Sequence, residues 1–84
     1  MRIETALQAS SFCDELRRSL RQAGPNRDLE KMMRNIEHGV SELSKKEVEC
    51  RRTHKFHTVQ ADIENLNVAF TDMEHYILLA NLTK

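Results

Sequence analysis

An all-α fold is predicted for this chain of 84 residues by three observations. Only two glycines and one proline occur, so few residues interrupt a helix. Apolar residues recur three and four positions apart along most of the chain, which is the spacing of one helical face. The segment Ala23–Asn26, with the sequence AGPN, is the clearest turn signal. The sequence therefore predicts a single helical domain over residues 1–84.

The first helix is predicted over residues 3–23, although its first turn could begin nearer Arg2. Thr5 and Gln8 have the spacing of a capping box, in which side-chain oxygens accept hydrogen bonds from free amides at the helix start. Gly24 is suited to the left-handed conformation that ends many helices, and Pro25 cannot continue the helix before it. A turn is therefore expected over residues 24–26.

A second, long helix is predicted from about Arg27 to about Asn81. Asn26 is suited to cap it, because its side chain can accept a hydrogen bond from a free amide in the first turn. Residues 40–61 contain no Gly, Pro, Asn or Asp, the residues that favour turns. Such a helix would be roughly 80 Å long at 1.5 Å per residue. The predicted fold is thus a helical hairpin whose long second helix forms a coiled coil.

Two apolar seams lie along this long segment, and their registers differ by one residue. The first seam consists of Leu29, Met32, Ile36, Gly39 and Leu43. The second seam consists of Phe56, Val59, Ile63, Leu66, Phe70, Met73, Ile77 and Ala80. The change of register falls within Ser41–His57, which has the sequence SELSKKEVECRRTHKFH. It indicates either a seam discontinuity in one helix or a bend near residues 51–55, and the bend would give a compact three-helix bundle.

The second seam is predicted to bind a partner. A first helix of about 30 Å cannot cover a rod of about 80 Å, and burying each large apolar side chain is worth about 1.5–3 kcal/mol. The expected partner is a second copy, forming a homodimer, or another helical protein. The predicted partner-binding residues are Phe56, Val59, Ile63, Leu66, Phe70, Met73 and Ile77.

The C-terminal segment EHYILLANLTK has apolar side chains almost all round the predicted helix. These residues are Tyr76, Ile77, Leu78, Leu79 and Leu82. One neighbouring helix cannot cover such a surface. The segment is therefore expected either to be buried between several helices or to dock a partner.

Charge is unevenly distributed although the formal net charge is zero. Residues 17–55 contain eleven Lys or Arg and six Asp or Glu, whereas residues 56–83 contain four acids and no Lys or Arg. This asymmetry favours antiparallel or head-to-tail association. An alternative function is nucleic-acid binding through the basic segment 45–55, with phosphate contacts from Lys45, Lys46, Arg51, Arg52 and Lys55. The interleaved acids and the pI of about 6.9 count against it.

A second alternative is a zinc site. On a continuous helix, Cys50, His54 and His57 would share one face at spacings of i, i+4 and i+7. Thiolate and imidazole are the ligands zinc prefers, and Cys13 or His38 could supply a fourth. Such a short pattern is a weak indication of a metal. No cofactor is therefore predicted, and these residues are interpreted chiefly as seam or surface.

The function predicted from the sequence is a non-enzymatic protein–protein interaction module. No glycine-rich phosphate loop, His-Glu-x-x-His motif or nucleophile turn occurs. Two cysteines without a CxxC pair, and no signal-peptide core or membrane span, favour a cytoplasmic or otherwise intracellular protein. In general organisation the predicted fold is similar to small helical co-chaperones of bacterial secretion systems and to short coiled-coil subunits. That similarity implies an adaptor or chaperone-like role.

Overall fold

The computed structural model of the chain describes residues 2–54 and 56–82 and contains three α-helices. Helix α1 spans Ala6–Ala23, α2 spans Arg27–Thr53 and α3 spans Phe56–Leu82. All regular secondary structure in the described residues is helical. The all-α prediction is confirmed, and the arrangement is the three-helix bundle that the sequence offered as its alternative.

Helix α1 begins and ends at the predicted signals. The Thr5 hydroxyl accepts a hydrogen bond from the Gln8 N–H at 3.2 Å, and the Gln8 side chain accepts one from the Glu4 N–H at 2.7 Å. These contacts fix the start of α1 at Ala6, three residues later than predicted. Gly24 has a φ of 91°, and its N–H donates to the carbonyl of Arg21 at 3.2 Å. The helix therefore stops where glycine permits a positive φ.

Helix α2 begins at the predicted cap. The Asn26 side-chain oxygen accepts a hydrogen bond from the Leu29 N–H at 3.1 Å. Asp28 and Glu30 lie in the first turn, while Arg51 and Arg52 lie in the last. Both placements stabilise α2. Acidic side chains interact favourably with the positive N-terminal end of the helix dipole, and basic side chains with its negative C-terminal end.

The continuous helix predicted from Arg27 to Asn81 is corrected by the structure. Helix α2 ends at Thr53, and His54 adopts a left-handed conformation with φ 60° and ψ 26°. The His54 N–H donates to the carbonyl of Cys50 at 2.7 Å. The chain therefore turns inside the interval 51–55 that was predicted for a bend; Lys55 itself lies outside the described residues.

The reason for this turn is the burial of the second apolar seam. A left-handed conformation costs a non-glycine residue about 1–2 kcal/mol. Folding α3 back buries Leu66, Phe70 and Met73, and each large apolar side chain stabilises the fold by about 1.5–3 kcal/mol. The gain from the seam exceeds the cost at His54 several-fold. The local helix preference of Ser41–His57 is therefore overridden by tertiary packing.

The three helices run up, down and up, so α2 is antiparallel to both neighbours. Arg17 on α1 pairs with Glu37 on α2 at 2.7 Å, and Lys46 on α2 pairs with Asp62 on α3 at 2.7 Å. Helix α2 approaches α3 closely at Gly39, where an added Cβ would lie 3.1 Å from Leu66 Cδ2. One core runs through all three helices and comprises Ile3, Ala6, Ala9, Phe12, Cys13, Leu16, Leu29, Met33, Ile36, Leu43, Leu66, Phe70, Met73 and Ile77.

Candidate protein interface

The predicted partner-binding residues lie mostly inside the bundle. We call Val59, Ile63, Leu66, Phe70, Met73 and Ile77 the inner seam of α3. Its last four members are buried, and its first two are partly buried against the core. The Phe70 ring packs edge to face on Phe12 of α1, with ring centroids 4.9 Å apart. The inner seam is thus covered by α1 and α2 of the same chain.

One buried polar side chain ties the N-terminal segment to α3. Asn67 accepts a hydrogen bond from the Ile3 N–H at 2.7 Å and donates one to the Ile3 carbonyl at 3.1 Å. Arg2 forms an ion pair with Glu64 next to this contact. Both side chains therefore hold residues 2–5 across α3, although these residues lie outside α1.

A second seam lies on the opposite side of α3. We call it the outer seam: His57, Ala61, Glu64, Val68, Thr71, His75, Leu78 and Leu82, which alternate at spacings of four and three. All eight residues are exposed, and Val68, Leu78 and Leu82 are 62%, 57% and 72% accessible. The large apolar members are Val68, Leu78 and Leu82, at positions that a coiled-coil seam would use, whereas four of the other members are polar. Apart from Glu64, which pairs with Arg2, the outer seam is a helix face that the described residues leave open to solvent.

Only the C-terminal end of this surface was predicted from the sequence, as a segment either buried between helices or docking a partner. That end contains Leu78 and Leu82, together with the neighbouring Tyr76 and Leu79, which are 49% and 43% accessible. Val68 and the other outer-seam residues were missed. The available signal was a second alternation of fours and threes, but His57, Glu64 and His75 interrupt its apolar character. The less apolar outer seam can be recognised only once the more apolar inner seam is known to be buried.

A cleft opens near the turn between α2 and α3. It has a volume of 390 Å³ and is lined by residues that include Leu7, Cys50, Arg51, Phe56 and Val59. Leu7 and Phe56 are 79% and 63% exposed. Phe56 is thus the member of the predicted partner-binding set that is open to solvent.

The basic segment is partly used in contacts within the chain. Lys45 pairs with Glu42 at 3.5 Å and Lys46 with Asp62 at 2.7 Å, and the hydrogen bond to Asp62 raises the pKa of Lys46. Arg51 and Arg52 are exposed near the end of α2, and Lys55 lies outside the described residues. One ion pair between the basic segment and the acidic C-terminal half therefore forms within the chain, from Lys46 to Asp62. Nucleic-acid binding by this segment stays a prediction.

The three residues proposed to bind zinc do not share one helix. Cys50 is buried on α2, His54 occupies the left-handed turn and His57 is exposed at the start of α3. The predicted i, i+4, i+7 geometry required one uninterrupted helix through all three residues, but α2 ends at Thr53. Over residues 2–54 and 56–82, no group of three or more His, Cys, Asp or Glu side chains is arranged to hold a metal ion.

Cys13 lies in the core beside the α1–α2 contact. Burial, followed by the nearby carboxylate of Glu37, raises the pKa of its thiol to about 11. Cys13 is therefore a packing residue with an inert thiol.

Within the described part of the chain, no helix combines the length and apolar character needed to cross a membrane. Comparison with protein-family models, with curated proteins and with solved structures gave no match to this chain.

Proposed function

We propose that this protein is a non-enzymatic protein–protein interaction module that binds a helix along the outer seam of α3. The single observation that supports this function is the exposure of Val68, Leu78 and Leu82 along one face of α3. Isolated exposed apolar side chains are common on protein surfaces, but apolar residues aligned along one helix face mark interaction sites. An adaptor or chaperone-like subunit fits this description.

The partner would bind by the helix-in-groove mode. Twenty-five residues separate the first and last members of the outer seam, which corresponds to about 38 Å of helix. A helix of similar length would place its own apolar stripe over Val68, Leu78 and Leu82. Burial of these side chains supplies affinity, while the polar members of the seam set the register.

The structure also changes which residues are expected to contact the partner. The inner seam stabilises the bundle, so its buried members are assigned to folding in this conformation. Phe56 and Leu7, at the cleft beside the α2–α3 turn, are accessible for additional contacts.

Site-specific photo-crosslinking tests this function. A benzophenone amino acid is placed at Val68 on the outer seam and, as a matched control, at Arg34, which is exposed on α2. Irradiation in the native cell is expected to give a discrete adduct from position 68 and none from position 34. The adduct should disappear when Leu78 and Leu82 are both changed to Ser. Equal adducts from both positions, or none from position 68, would refute the proposed surface.

A further inference from the structure

We propose that the outer seam binds a second copy of this chain, with the two α3 helices antiparallel about a two-fold axis. This inference rests on the proposed function and names its partner. A two-fold interface requires a surface that is complementary to itself, because every contact occurs twice. The outer seam meets this requirement when it is read in opposite directions on two copies.

The spacing of the seam fixes how the two copies pair. Antiparallel alignment places the two-fold axis between Val68 and Thr71, so each Val68 faces Thr71 of the second copy. The next layer outward places Glu64 opposite His75. The following layer places Ala61 opposite Leu78, and the terminal layer places His57 opposite Leu82. All eight seam positions are therefore paired.

The sizes of the facing side chains are complementary in this alignment. Ala61 leaves room for Leu78, and Thr71 faces the similarly sized Val68. Alternation of large and small side chains allows two helices to interdigitate without voids. A parallel pair in register would instead place Ala61 against Ala61, which leaves a gap in that layer.

The charges of the facing residues favour the same alignment. Glu64 faces His75, whose ring N–H can donate a hydrogen bond to the carboxylate. Asp72 and Asn65 each lie one position after a seam residue and therefore flank the interface. In the antiparallel dimer Asp72 faces Asn65 of the second copy, so no acidic side chain lies directly opposite another. A parallel pair would align Glu64 with Glu64. Since residues 56–82 contain no Lys or Arg, α3 itself could not offset that repulsion.

Arg2 adds positive charge to this surface, which favours the approach of a second acidic helix. It pairs with Glu64 and lines the same shallow groove as Val68, Thr71 and Asp72. The N-terminal segment thereby adds a cation to the acidic side of α3, and it is held in place by the Asn67 contacts with Ile3. Two such arginines in the dimer reduce the repulsion between the two α3 helices.

Light scattering combined with size-exclusion chromatography tests self-association on the full chain. A mass twice that of the 9.8 kDa chain is expected. Changing Leu78 and Leu82 to Ser should raise the dissociation constant of the dimer about 100-fold or more. The two substitutions remove four buried leucines from the interface, because each copy contributes two. The control Val48→Ser removes a similarly exposed apolar side chain from α2 and should leave the dimer intact. Circular dichroism verifies that all three proteins remain helical.

Disulfide trapping tests the direction of pairing. Chains carrying Ala61→Cys and chains carrying Leu78→Cys are oxidised separately and as a mixture; the native Cys13 and Cys50 are buried. The antiparallel dimer should give a mixed disulfide in the mixture and little crosslinking in either chain alone. Efficient crosslinking of each variant with itself would overturn the antiparallel arrangement.

The failure of this inference is distinguishable from failure of the proposed function. A single-chain mass at the highest soluble concentration would overturn self-association, whereas an adduct from position 68 with a different protein would still support helix binding. A dimer that is unaffected by the two leucine substitutions would overturn the inference, since the second copy would then bind elsewhere.

Discussion

The inner and outer seams of α3 share one helix and one spacing, yet one is buried and the other is exposed. The inner seam contains Leu66, Phe70, Met73 and Ile77, all buried. The outer seam contains three large apolar residues, one alanine and four polar residues. The two faces of α3 therefore share a spacing but differ in apolar content. The amount of apolar surface on each face decides which one the chain buries within itself.

The largest expected effect in this comparison is at Phe70. Phe70→Ala should lower the free energy of unfolding by about 3–5 kcal/mol, because it removes a fully buried ring and its contact with Phe12. Val68→Ala on the outer seam, only two residues away, should change it by no more than about 0.5 kcal/mol in dilute protein. Urea unfolding followed by circular dichroism measures both. Similar losses at the two positions would show that the seams are not distinguished by burial. Phe70→Leu, expected to cost about 1.5 kcal/mol or less, provides a milder variant if the alanine protein does not fold.

Asn67 is the polar member of the buried face, and its loss should be the next most severe. Asn67→Ala removes two hydrogen bonds and leaves the N–H and carbonyl of Ile3 without their partner. A destabilisation of about 2–4 kcal/mol is expected, because unsatisfied buried groups keep their desolvation cost. Protection of the Ile3 amide from hydrogen exchange should fall in parallel. The exposed Asn35→Ala is the control, and an equally small effect of both substitutions would contradict a structural role for Asn67.

Cys13 on α1 should make the free energy of unfolding depend on pH in the alkaline range. Its thiol pKa rises from 9.0 to about 11 on folding, so between these values the unfolded chain loses a proton that the folded chain retains. Stability should therefore decrease as pH rises from 9 to 11, by about 1–2 kcal/mol from this residue. The measurement is the difference in unfolding free energy between the native chain and Cys13→Ala across that range. A difference that does not vary with pH would exclude this linkage.

The smallest effect is expected at the turn that folds the inner seam back on the bundle. His54→Gly should stabilise the protein by about 0.5–1 kcal/mol, because glycine adopts a positive φ with less strain than histidine. Thr53→Gly, one residue earlier and still helical, should destabilise by a similar amount. Thermal unfolding of both variants tests the pair. Destabilisation at both positions would indicate that residue 54 is helical in solution.

The sequence predicted those features that depend on local chemistry. The Thr5 and Asn26 caps and the turn at Gly24 were identified correctly, because each requires side-chain groups only a few residues apart. The bend near residues 51–55 was given only as an alternative, since none of its residues disfavours a helix strongly. The outer seam was missed for a related reason. Its interrupted apolar pattern has no obvious meaning until the other face of α3 is known to be buried.

By itself, the sequence determined that the chain is helical, where α1 ends and α2 begins, and which residues form the strong apolar seam of α3. Only the tertiary structure decided that α3 folds back at His54 and that its outer seam is left exposed. The physical reason is the difference in range between the two kinds of interaction. Caps and helix propensities act over a few residues, whereas burial of Leu66, Phe70, Met73 and Ile77 sums contributions from helices distant in sequence. That sum outweighs the strain at one left-handed residue.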